Sequence, residues 1–316
     1  MTQEFDPNAA ADENAGIFGL PYRESDSELV FLPVPWEMTT SYGKGTAKGP
    51  EAILRASKQI DLYHPELRCF YEAGLHMLPI STEIASWNLE SKTKANLLGE
   101  QVNSYVYEQT ARLLAQNKLV GVVGGDHSSP FGAIQALAEH HDSFGILHLD
   151  AHADTRDAYE GYTWSHASIM RNVLERIPQV TKLVQVGIRD FCEEEFEFSK
   201  AQKDRMRVYT DFKLMAAKFE GQPWGVQVSH MIAELPEKVW VSFDIDALDP
   251  RFCPHTGTPV PGGLDFQEAY YLIANLVRSG RKIIGFDLCE VGDAEWDGNV
   301  GARMLYHLAG WALESR

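Results

Sequence analysis

The chain has 316 residues, 44% of them hydrophobic and 23% charged, as is typical of a globular protein with a substantial core. Its formal net charge of −17 argues against a nucleic-acid partner, whose phosphates would be repelled, and is compatible with a small cationic substrate. No apolar run approaches the roughly 20 residues that a membrane span requires. Four scattered cysteines without CxxC spacing indicate neither a disulfide framework nor a zinc knuckle. We therefore expect a cytoplasmic protein.

The first 16 residues differ from the rest of the chain in being polar and acidic. They lack the basic start and apolar middle of a signal peptide, so we expect them to form a flexible N-terminal arm. No internal repeat, low-complexity tract or linker interrupts the remaining sequence. Residues 17–316 are therefore predicted to form a single catalytic domain.

Strand-like and helix-like segments alternate along the domain. The predicted strands are continuous apolar runs at 29–34, 119–123, 144–149, 183–188, 239–243 and 283–288. The predicted helices lie at 50–63, 96–116, 129–141, 165–177, 265–279 and 299–314. Continuous apolar strands alternating with helices are typical of a parallel sheet covered by helices on both faces. The pattern predicts an α/β fold.

Histidine and aspartate side chains follow three of these strands, in the stretches 124–128, 150–154 and 242–246. Side chains two residues apart in an extended segment share a face, so the ionisable groups within a stretch can converge. In an open parallel sheet, ligands bind beyond the carboxyl ends of the strands. The stretches are therefore predicted to meet at one site, with the candidate ligands His127, Asp150, His152, Asp154, Asp244 and Asp246.

Four carboxylates and two imidazoles exceed the needs of one ion, but they suit two oxygen-preferring divalent cations that share bridging carboxylates. A salt-bridge cluster is the alternative interpretation. Arg156 is the only basic neighbour close in sequence to residues 150–154, and buried carboxylates without counter-charge are costly. The metal interpretation is favoured, and a pair of such ions predicts hydrolytic chemistry.

Three further residues have roles that the sequence pattern leaves open. Because histidines ordinarily titrate near neutrality, His166 could pass protons to a leaving amine, or it could be a solvent-facing histidine at a helix start. Glu290 follows the strand 283–288 and could pair with a guanidinium group, or it could join an internal ion pair. His148 precedes Asp150 by two residues and could support a metal ligand from behind.

With these motifs in order, the chain resembles the ureohydrolases, the family of arginases and agmatinases. The resemblance rests on Gly-Pro-Glu-Ala-Ile at 49–53, Gly-Gly-Asp-His-Ser at 124–128, Asp-Ala-His-Ala-Asp at 150–154, Ser-Phe-Asp-Ile-Asp-Ala-Leu-Asp-Pro at 242–250 and Thr-Gly-Thr-Pro-Val-Pro-Gly-Gly at 256–263. It covers nearly all of the chain after the N-terminal arm. It implies a three-layer α/β/α fold with a central, mainly parallel eight-stranded sheet, and assembly into homotrimers or homohexamers.

The same resemblance implies two Mn²⁺ ions per chain and a role for each site residue. One ion would be held by His127, Asp150, Asp154 and Asp244, and the other by His152, Asp150, Asp244 and Asp246. The ions would convert water to hydroxide, which would attack a guanidinium carbon held by Glu290. Asp154 would accept and pass on a proton, and His166 would relay another to the departing amine. Urea and an amine would leave.

The loop after Asp154 is expected to decide which guanidino compound is bound, through Arg156, Tyr159, Glu160 and Trp164. Arginases typically have asparagine where this chain has Arg156, and an acidic residue where it has Cys192. The loop is more similar to that of prokaryotic agmatinases, so hydrolysis of agmatine to putrescine and urea is the favoured activity. Arg156 would suit a guanidino acid such as guanidinobutyrate better, unless it neutralises Asp157 or Glu160.

Two alternatives to an agmatinase are therefore kept at this point. One is an arginase or a guanidino-acid hydrolase such as a guanidinobutyrase, which differs only in the distal group of the substrate. The other is a catalytically silent protein that has kept the fold as a scaffold. All six candidate ligands are present, which disfavours the silent scaffold.

Overall fold

Eight strands, all paired in parallel, form one sheet in the computed structural model, which describes residues 5–12 and 14–316. The strands are β1 (Leu29–Val34), β2 (Leu75–Met77), β3 (Leu119–Gly124), β4 (Phe144–Leu149), β5 (Val180–Ile188), β6 (Met206–Thr210), β7 (Lys238–Asp244) and β8 (Lys282–Cys289). Their order across the sheet is β2-β1-β3-β8-β7-β4-β5-β6. The predicted parallel sheet and its eight strands are confirmed.

Helices cover both faces of the sheet. Within the described residues they are α1 (Gly49–Ser57), α2 (Thr82–Trp87), α3 (Ala95–Leu114), α4 (Phe131–Ala138), α5 (Ile169–Arg176), α6 (Glu193–Ala201), α7 (Asp211–Phe219), α8 (Trp224–Ala233), α9 (Phe266–Arg278) and α10 (Glu295–Glu314). One core contains α1, α8, α9 and α10, and the other contains α2 to α5. The predicted three-layer α/β/α fold is therefore confirmed.

Alternate side chains of the buried strands enter opposite cores, as the two-residue repeat of a strand requires. On β1, Phe31 packs in the core beneath α1 and α10, whereas Val30 and Leu32 pack beneath α3. Trp240 of β7 joins the second core, and its neighbour Val241 joins the first. Burial on both faces explains why these strands are continuous apolar runs in the sequence.

The two strands that the sequence pattern missed, β2 and β6, lie at the two edges of the sheet. Strand β2 has only three residues, and the three central residues of β6 are only partly buried. Neither therefore carries the apolar run of a central strand. Helices α2, α6, α7 and α8 were also not predicted, and the helix predicted at 50–63 ends at Ser57. The helix predicted at 165–177 begins as a 3₁₀ turn, with α5 starting at Ile169.

The predicted N-terminal arm is described only in part, because residues 1–4 and 13 lie outside the described residues. Ile17 and Phe18 are the first buried side chains in the described chain, and the Phe18 amide donates to Ser57 Oγ over 2.8 Å. The division of the chain at residue 16 stays a prediction. No helix among the described residues has the length and apolar character needed to cross a membrane.

The strand order places four carboxyl ends side by side in the middle of the sheet: those of β3, β8, β7 and β4. The segments that follow these four strands carry His127, Glu290, the pair Asp244 and Asp246, and the stretch 150–154. Segments far apart in sequence are thereby brought to one edge of the sheet. This is the edge at which open α/β sheets bind ligands.

Helix α4, which follows the His127 loop, packs against α3 through a glycine. A Cβ at Gly132 would lie 2.2 Å from Asn103 O and 2.7 Å from Tyr107 N, and both are backbone atoms that have little room to move. The close contact of the two helices therefore requires glycine here, and it fixes the position of the loop before α4.

We expect Gly132→Ala to lower the free energy of unfolding by about 2–3 kcal/mol, because α4 must move away from α3. The matched control is Gly225→Ala on α8, where the new Cβ would meet only the Tyr271 hydroxyl, at the end of a partly exposed side chain. Helix propensity predicts that this control changes stability by no more than ~1 kcal/mol. Urea-induced unfolding followed by circular dichroism measures both. Equal stabilities of the two variants would contradict the packing argument.

Candidate active site

The first group of predicted ligands surrounds one nitrogen of His127. His127 Nδ1 lies 3.0 Å from Asp150 Oδ2, 3.3 Å from Asp154 Oδ2 and 3.2 Å from Asp244 Oδ2. All four side chains are at most 5% exposed. Three carboxylate oxygens thus converge on one imidazole nitrogen in a site shielded from water.

The second group surrounds His152, which is only partly buried. His152 Nδ1 lies 3.1 Å from Asp246 Oδ2 and 3.5 Å from Asp150 Oδ1. Asp150 therefore directs one oxygen to each histidine, which is the position a bridging carboxylate occupies. Asp244 also reaches both groups, because its Oδ2 faces His127 while its Oδ1 accepts a hydrogen bond from Asp246 N over 2.8 Å.

The carboxylates of this cluster cannot all ionise comfortably side by side. Burial, and then the charges of Asp246 and Asp150, raise the pKa of Asp244 well above its usual range. Burial and the Asp150 charge raise the pKa of Asp154 to about 6. Although burial opposes the charged imidazole, the surrounding carboxylates hold the pKa of His127 well above its usual range. The cluster requires positive charge at its centre.

Divalent cations fit this donor set. Asp246 Oδ2 is buried, and among the described residues it has His152 Nδ1 within reach, so this oxygen is available to a cation that also binds His152. The nearby Cys289 directs its thiol away from the carboxylate cluster, donating to Asp287 Oδ1 over 3.6 Å, and burial raises the pKa of that thiol well above the usual range. Oxygen and imidazole nitrogen donors without thiolate suit Mn²⁺-type ions rather than structural zinc.

A carboxylate behind His127 fixes the orientation of its ring. His127 Nε2 lies 2.9 Å from Ser242 Oγ and 3.4 Å from Asp287 Oδ1. Asp287 is fully buried and accepts hydrogen bonds from Trp240 Nε1 over 2.6 Å and from Ser242 Oγ over 3.0 Å. Holding the far nitrogen in this way directs Nδ1 toward the three ligand carboxylates.

His148 supports the bridging carboxylate, as its position two residues before Asp150 suggested. His148 Nε2 lies 2.9 Å from Asp150 Oδ2, and its Nδ1 lies 2.9 Å from Gln185 Nε2. The same amide nitrogen donates to Ala153 O over 2.6 Å. Gln185 on β5 therefore positions both His148 and the ligand loop.

Glu290 lies at the end of β8, in a backbone conformation that is strained for glutamate. Its φ is +63°, in the left-handed region, and its carboxylate is buried. Oε1 accepts a hydrogen bond from His127 N over 3.1 Å, whereas Oε2 has no partner within the described residues. Burial and the neighbouring Asp126 raise the pKa of Glu290 well above its usual range. Strain and an unpaired oxygen are features of a functional carboxylate.

His166 is buried beside a threonine and an aspartate that the sequence analysis did not select. The Thr39 hydroxyl donates to Asp126 Oδ2 over 2.9 Å, accepts from His166 N over 3.1 Å and lies 3.4 Å from His166 Nδ1. Burial lowers the pKa of His166 to about 4, so its imidazole is neutral at neutral pH. The solvent-facing alternative for His166 is therefore wrong.

A cavity of about 270 Å³ opens beside the cluster. Among the predicted residues, His152, Asp154, Arg156, Tyr159 and His166 line it. Further lining residues are Ser41, Tyr42, Ala167, Asp190, Glu195, Thr258, Pro259 and Val260. The cavity thus joins the loop after β4 to the segment around residue 258.

Two of the predicted substrate-loop residues are not brought to this cavity. Trp164 packs on Phe131, with ring centroids 4.8 Å apart, and under the Arg176 guanidinium. Glu160 is exposed to solvent in a left-handed conformation, with φ at +54°. Trp164 is partly buried against the core, and the turn carries Glu160 outward, so neither of these two predicted residues lines the cavity.

Arg156 is neutralised by a residue far away in sequence. Its Nε lies 3.6 Å from the buried carboxylate of Glu195, and its guanidinium lies over the Tyr159 ring. The predicted partners Asp157 and Glu160 are wrong. Asp157 lies 3.8 Å from Arg171 instead. Partners chosen for their closeness in sequence were wrong because Glu195, in the first turn of α6, lies next to Arg156 only in the folded chain.

Some of the site residues that the sequence analysis missed could have been found from the sequence, and others could not. Asp287 stood out as a charge inside the apolar run of a predicted strand, and Asp126 directly precedes His127. Both are signals that could have been used. Thr39 and Glu195 carry no such signal, because only the folded chain brings them to His166 and Arg156.

Comparisons with known proteins identify the family. The model of the arginase family matches residues 27–309. N(1)-aminopropylagmatine ureohydrolase of Thermus thermophilus is 32% identical to this chain over 301 residues, which cover 93% of this chain and 94% of the relative. Agmatinase of Halalkalibacterium halodurans is 30% identical over 281 residues, which cover 86% of each chain. The solved structure of proclavaminate amidino hydrolase from Streptomyces clavuligerus has the same fold, with a TM-score of 0.80 at 24% identity over 98% of this chain and 100% of that one. The chain therefore belongs to the arginase family of ureohydrolases.

Proposed function

We propose that this protein hydrolyses the guanidino group of a cationic substrate, with agmatine yielding putrescine and urea. The observation that carries the proposal is the convergence of six acid and imidazole side chains at the sheet edge where Glu290 also lies. The relatives named agmatinase and aminopropylagmatine ureohydrolase support the reaction type. Retention of the whole cluster disfavours a catalytically silent scaffold.

The proposed ligands of two Mn²⁺ ions are those of the two groups around His127 and His152, with Asp150 and Asp244 shared. When bound there, the ions supply Lewis acidity and lower the pKa of a water molecule. The carboxylates provide the negative charge that holds the ions, and Asp287 and His148 keep the histidine and aspartate donors in place.

The remaining chemistry belongs to three side chains. Glu290 Oε2 lies beside Gly257, whose neighbour Thr258 lines the cavity, and we propose that it accepts the guanidinium N–H groups. Asp154, which is buried in the cluster and also lines the cavity, takes the proton released by the attacking water. The neutral His166 takes a proton from solvent and passes it to the departing amine, and because its Nδ1 lies beside two hydroxyl groups we assign the transfer to Nε2.

The charges of the cavity favour a substrate whose tail, the end away from the guanidino group, is cationic over one whose tail is a carboxylate. Arg156 is the only Lys or Arg side chain among the cavity's lining residues, and Glu195 neutralises it. Asp190 also lines the cavity, is exposed, and makes no ion pair within the described chain. A carboxylate-bearing guanidino acid would meet Asp190 without an available cation, so agmatine is favoured over guanidinobutyrate or arginine.

Aminopropylagmatine is the second candidate substrate, since it keeps the guanidino end and extends the cationic tail. The Thermus thermophilus relative supports it. The ratio of kcat/KM for agmatine and aminopropylagmatine decides between the two. Cytoplasmic location and assembly into trimers or hexamers are part of the same proposal, and analytical ultracentrifugation measures the assembly.

We expect Mn²⁺ to raise the thermal unfolding midpoint by several degrees, since a ligand at 100 times its Kd stabilises the folded state by about 2.7 kcal/mol. Asp244→Asn should lose most of this rise and nearly all urea production. The matched control is Asp249→Asn in the same segment, whose carboxylate only accepts a hydrogen bond from Arg251 N. Differential scanning fluorimetry with and without chelator measures the shift. An undiminished rise in Asp244→Asn would refute the ligand assignment.

We expect Glu290→Gln to lower kcat/KM for agmatine by roughly 10²–10³-fold, because a charged hydrogen bond to the guanidinium is lost. Manganese content, measured by atomic absorption, should stay at the unmodified level. The exposed Glu295→Gln is the control for a nearby change of charge. Loss of manganese together with activity in Glu290→Gln would mean that Glu290 serves the metal centre and not the substrate.

We expect kcat/KM for agmatine to exceed kcat/KM for guanidinobutyrate at least ~10-fold. Asp190→Asn should lower the ratio of these two values several-fold, because it raises the KM for agmatine. Asp157→Asn is the matched control, because Asp157 lies in the substrate loop but does not line the cavity. Urea release from both substrates measures the ratios. An unchanged ratio in Asp190→Asn would contradict the proposed ammonium contact.

A further inference from the structure

A second cavity, of about 390 Å³, lies at the far edge of the sheet, between β5 and β6 and the helices α6 and α7. Its walls are largely apolar and aromatic. Phe191 and Phe196 stack with ring centroids 6.4 Å apart, and Met206 and Val208 of β6 face the same space. A volume of this size with aromatic walls is typical of sites for small organic ligands.

The rim of this cavity is basic, in a chain whose net charge is −17. Lys200 and Arg207 line it but are paired, with Glu197 and Asp204 respectively, each over 2.8 Å. Lys203 and Lys213 also line it, and both are exposed and form no ion pair with any described residue. Two lysines that line the cavity without an ion-pair partner in the described chain, one before β6 and one after it, favour an anionic group on the occupant.

The floor of the cavity contains two buried polar atoms that lack partners. Gln185 Oε1 and Thr210 Oγ1 have no hydrogen-bond partner in the described part of the chain, and their residues are 0% and 8% exposed. The Gln185 amide nitrogen is already committed to His148 and Ala153. Its oxygen is therefore left without a hydrogen-bond donor among the described residues, at a side chain that borders the cavity.

We propose that this cavity binds a small phenolic carboxylate. The phenol hydroxyl donates to Gln185 Oε1 and lies beside Thr210, the ring packs between the aromatic walls, and the carboxylate pairs with Lys203 and Lys213. A neutral hydroxyl suits the floor better than an ammonium group, because a charge there would be buried near the basic rim.

The second cavity is separate from the proposed active-site cavity but adjoins it. Glu195 lines both, and Ala153 of the ligand loop lines the second. Gln185 also lies one side chain from the metal cluster, since its amide contacts His148, which contacts Asp150. An occupant of the second cavity thus touches the residue that positions the bridging carboxylate.

The test uses the full-length, manganese-loaded protein and three probes in isothermal titration calorimetry. 4-Hydroxyphenylacetate should bind at least ~5-fold more tightly than phenylacetate, which lacks the hydroxyl donor, and than tyramine, whose charge is reversed. Binding is measured without substrate, so the result does not depend on whether urea is produced. Absence of measurable 4-hydroxyphenylacetate binding, or equal affinity for all three probes, overturns the proposal.

Variants locate the bound probe. Lys203→Glu and Lys213→Glu should each weaken 4-hydroxyphenylacetate binding ~10-fold, whereas Lys282→Glu, an exposed lysine at the start of β8, should not. Thr210→Val should weaken binding several-fold without loss of stability, because its hydroxyl has no partner to lose within the described residues. Unchanged affinity in both lysine variants, or in Thr210→Val, would place the probe elsewhere and overturn the assignment.

Discussion

Mutual repulsion among buried carboxylates is the constraint on which the centre of this protein depends. Asp150, Asp154 and Asp244 direct oxygens at one nitrogen of His127, at distances that ionised carboxylates tolerate only around a cation. Burial makes these charges costly in isolation. It also strengthens their attraction to a bound divalent ion, because the protein interior screens charges less than water does. The same constraint explains why Asp287 contacts His127 and His148 contacts Asp150, since these partners hold the donors in position.

The parallel sheet is what allows this arrangement to exist. Each central strand delivers its polar side chains at its carboxyl end, where the backbone leaves the sheet and can take unusual conformations. Asp154 and Glu290 both have positive φ, at +52° and +63°, in the segments that follow β4 and β8. Such strain is tolerated where well-packed strands hold the backbone on either side. The strands thus hold the backbone in place, and the loops that follow them carry the reactive side chains.

In the proposed function, different residues bind the reacting guanidino group and select the rest of the substrate. The metal cluster is buried, whereas the residues proposed to read the substrate's tail lie on the loop after β4 and at the start of α6. The pairing of Arg156 with Glu195 cancels the one positive charge that would have favoured a carboxylate. Glu195 also borders the second cavity, so the residues proposed to contact the substrate's tail lie between the two cavities.

The sequence by itself determined the fold class, the central strands and the identity of the candidate ligands, because continuous apolar runs and clustered acids are local patterns with few alternatives. Only the tertiary structure decided which segments are neighbours. The order β3-β8-β7-β4 unites residues more than a hundred positions apart, and no local pattern encodes that order. For the same reason the sequence did not predict the contact of Thr39 with His166 or that of Glu195 with Arg156, nor that Trp164 and Glu160 lie away from the cavity. Edge strands and α6 to α8 were missed because partial burial leaves a weak hydrophobic pattern.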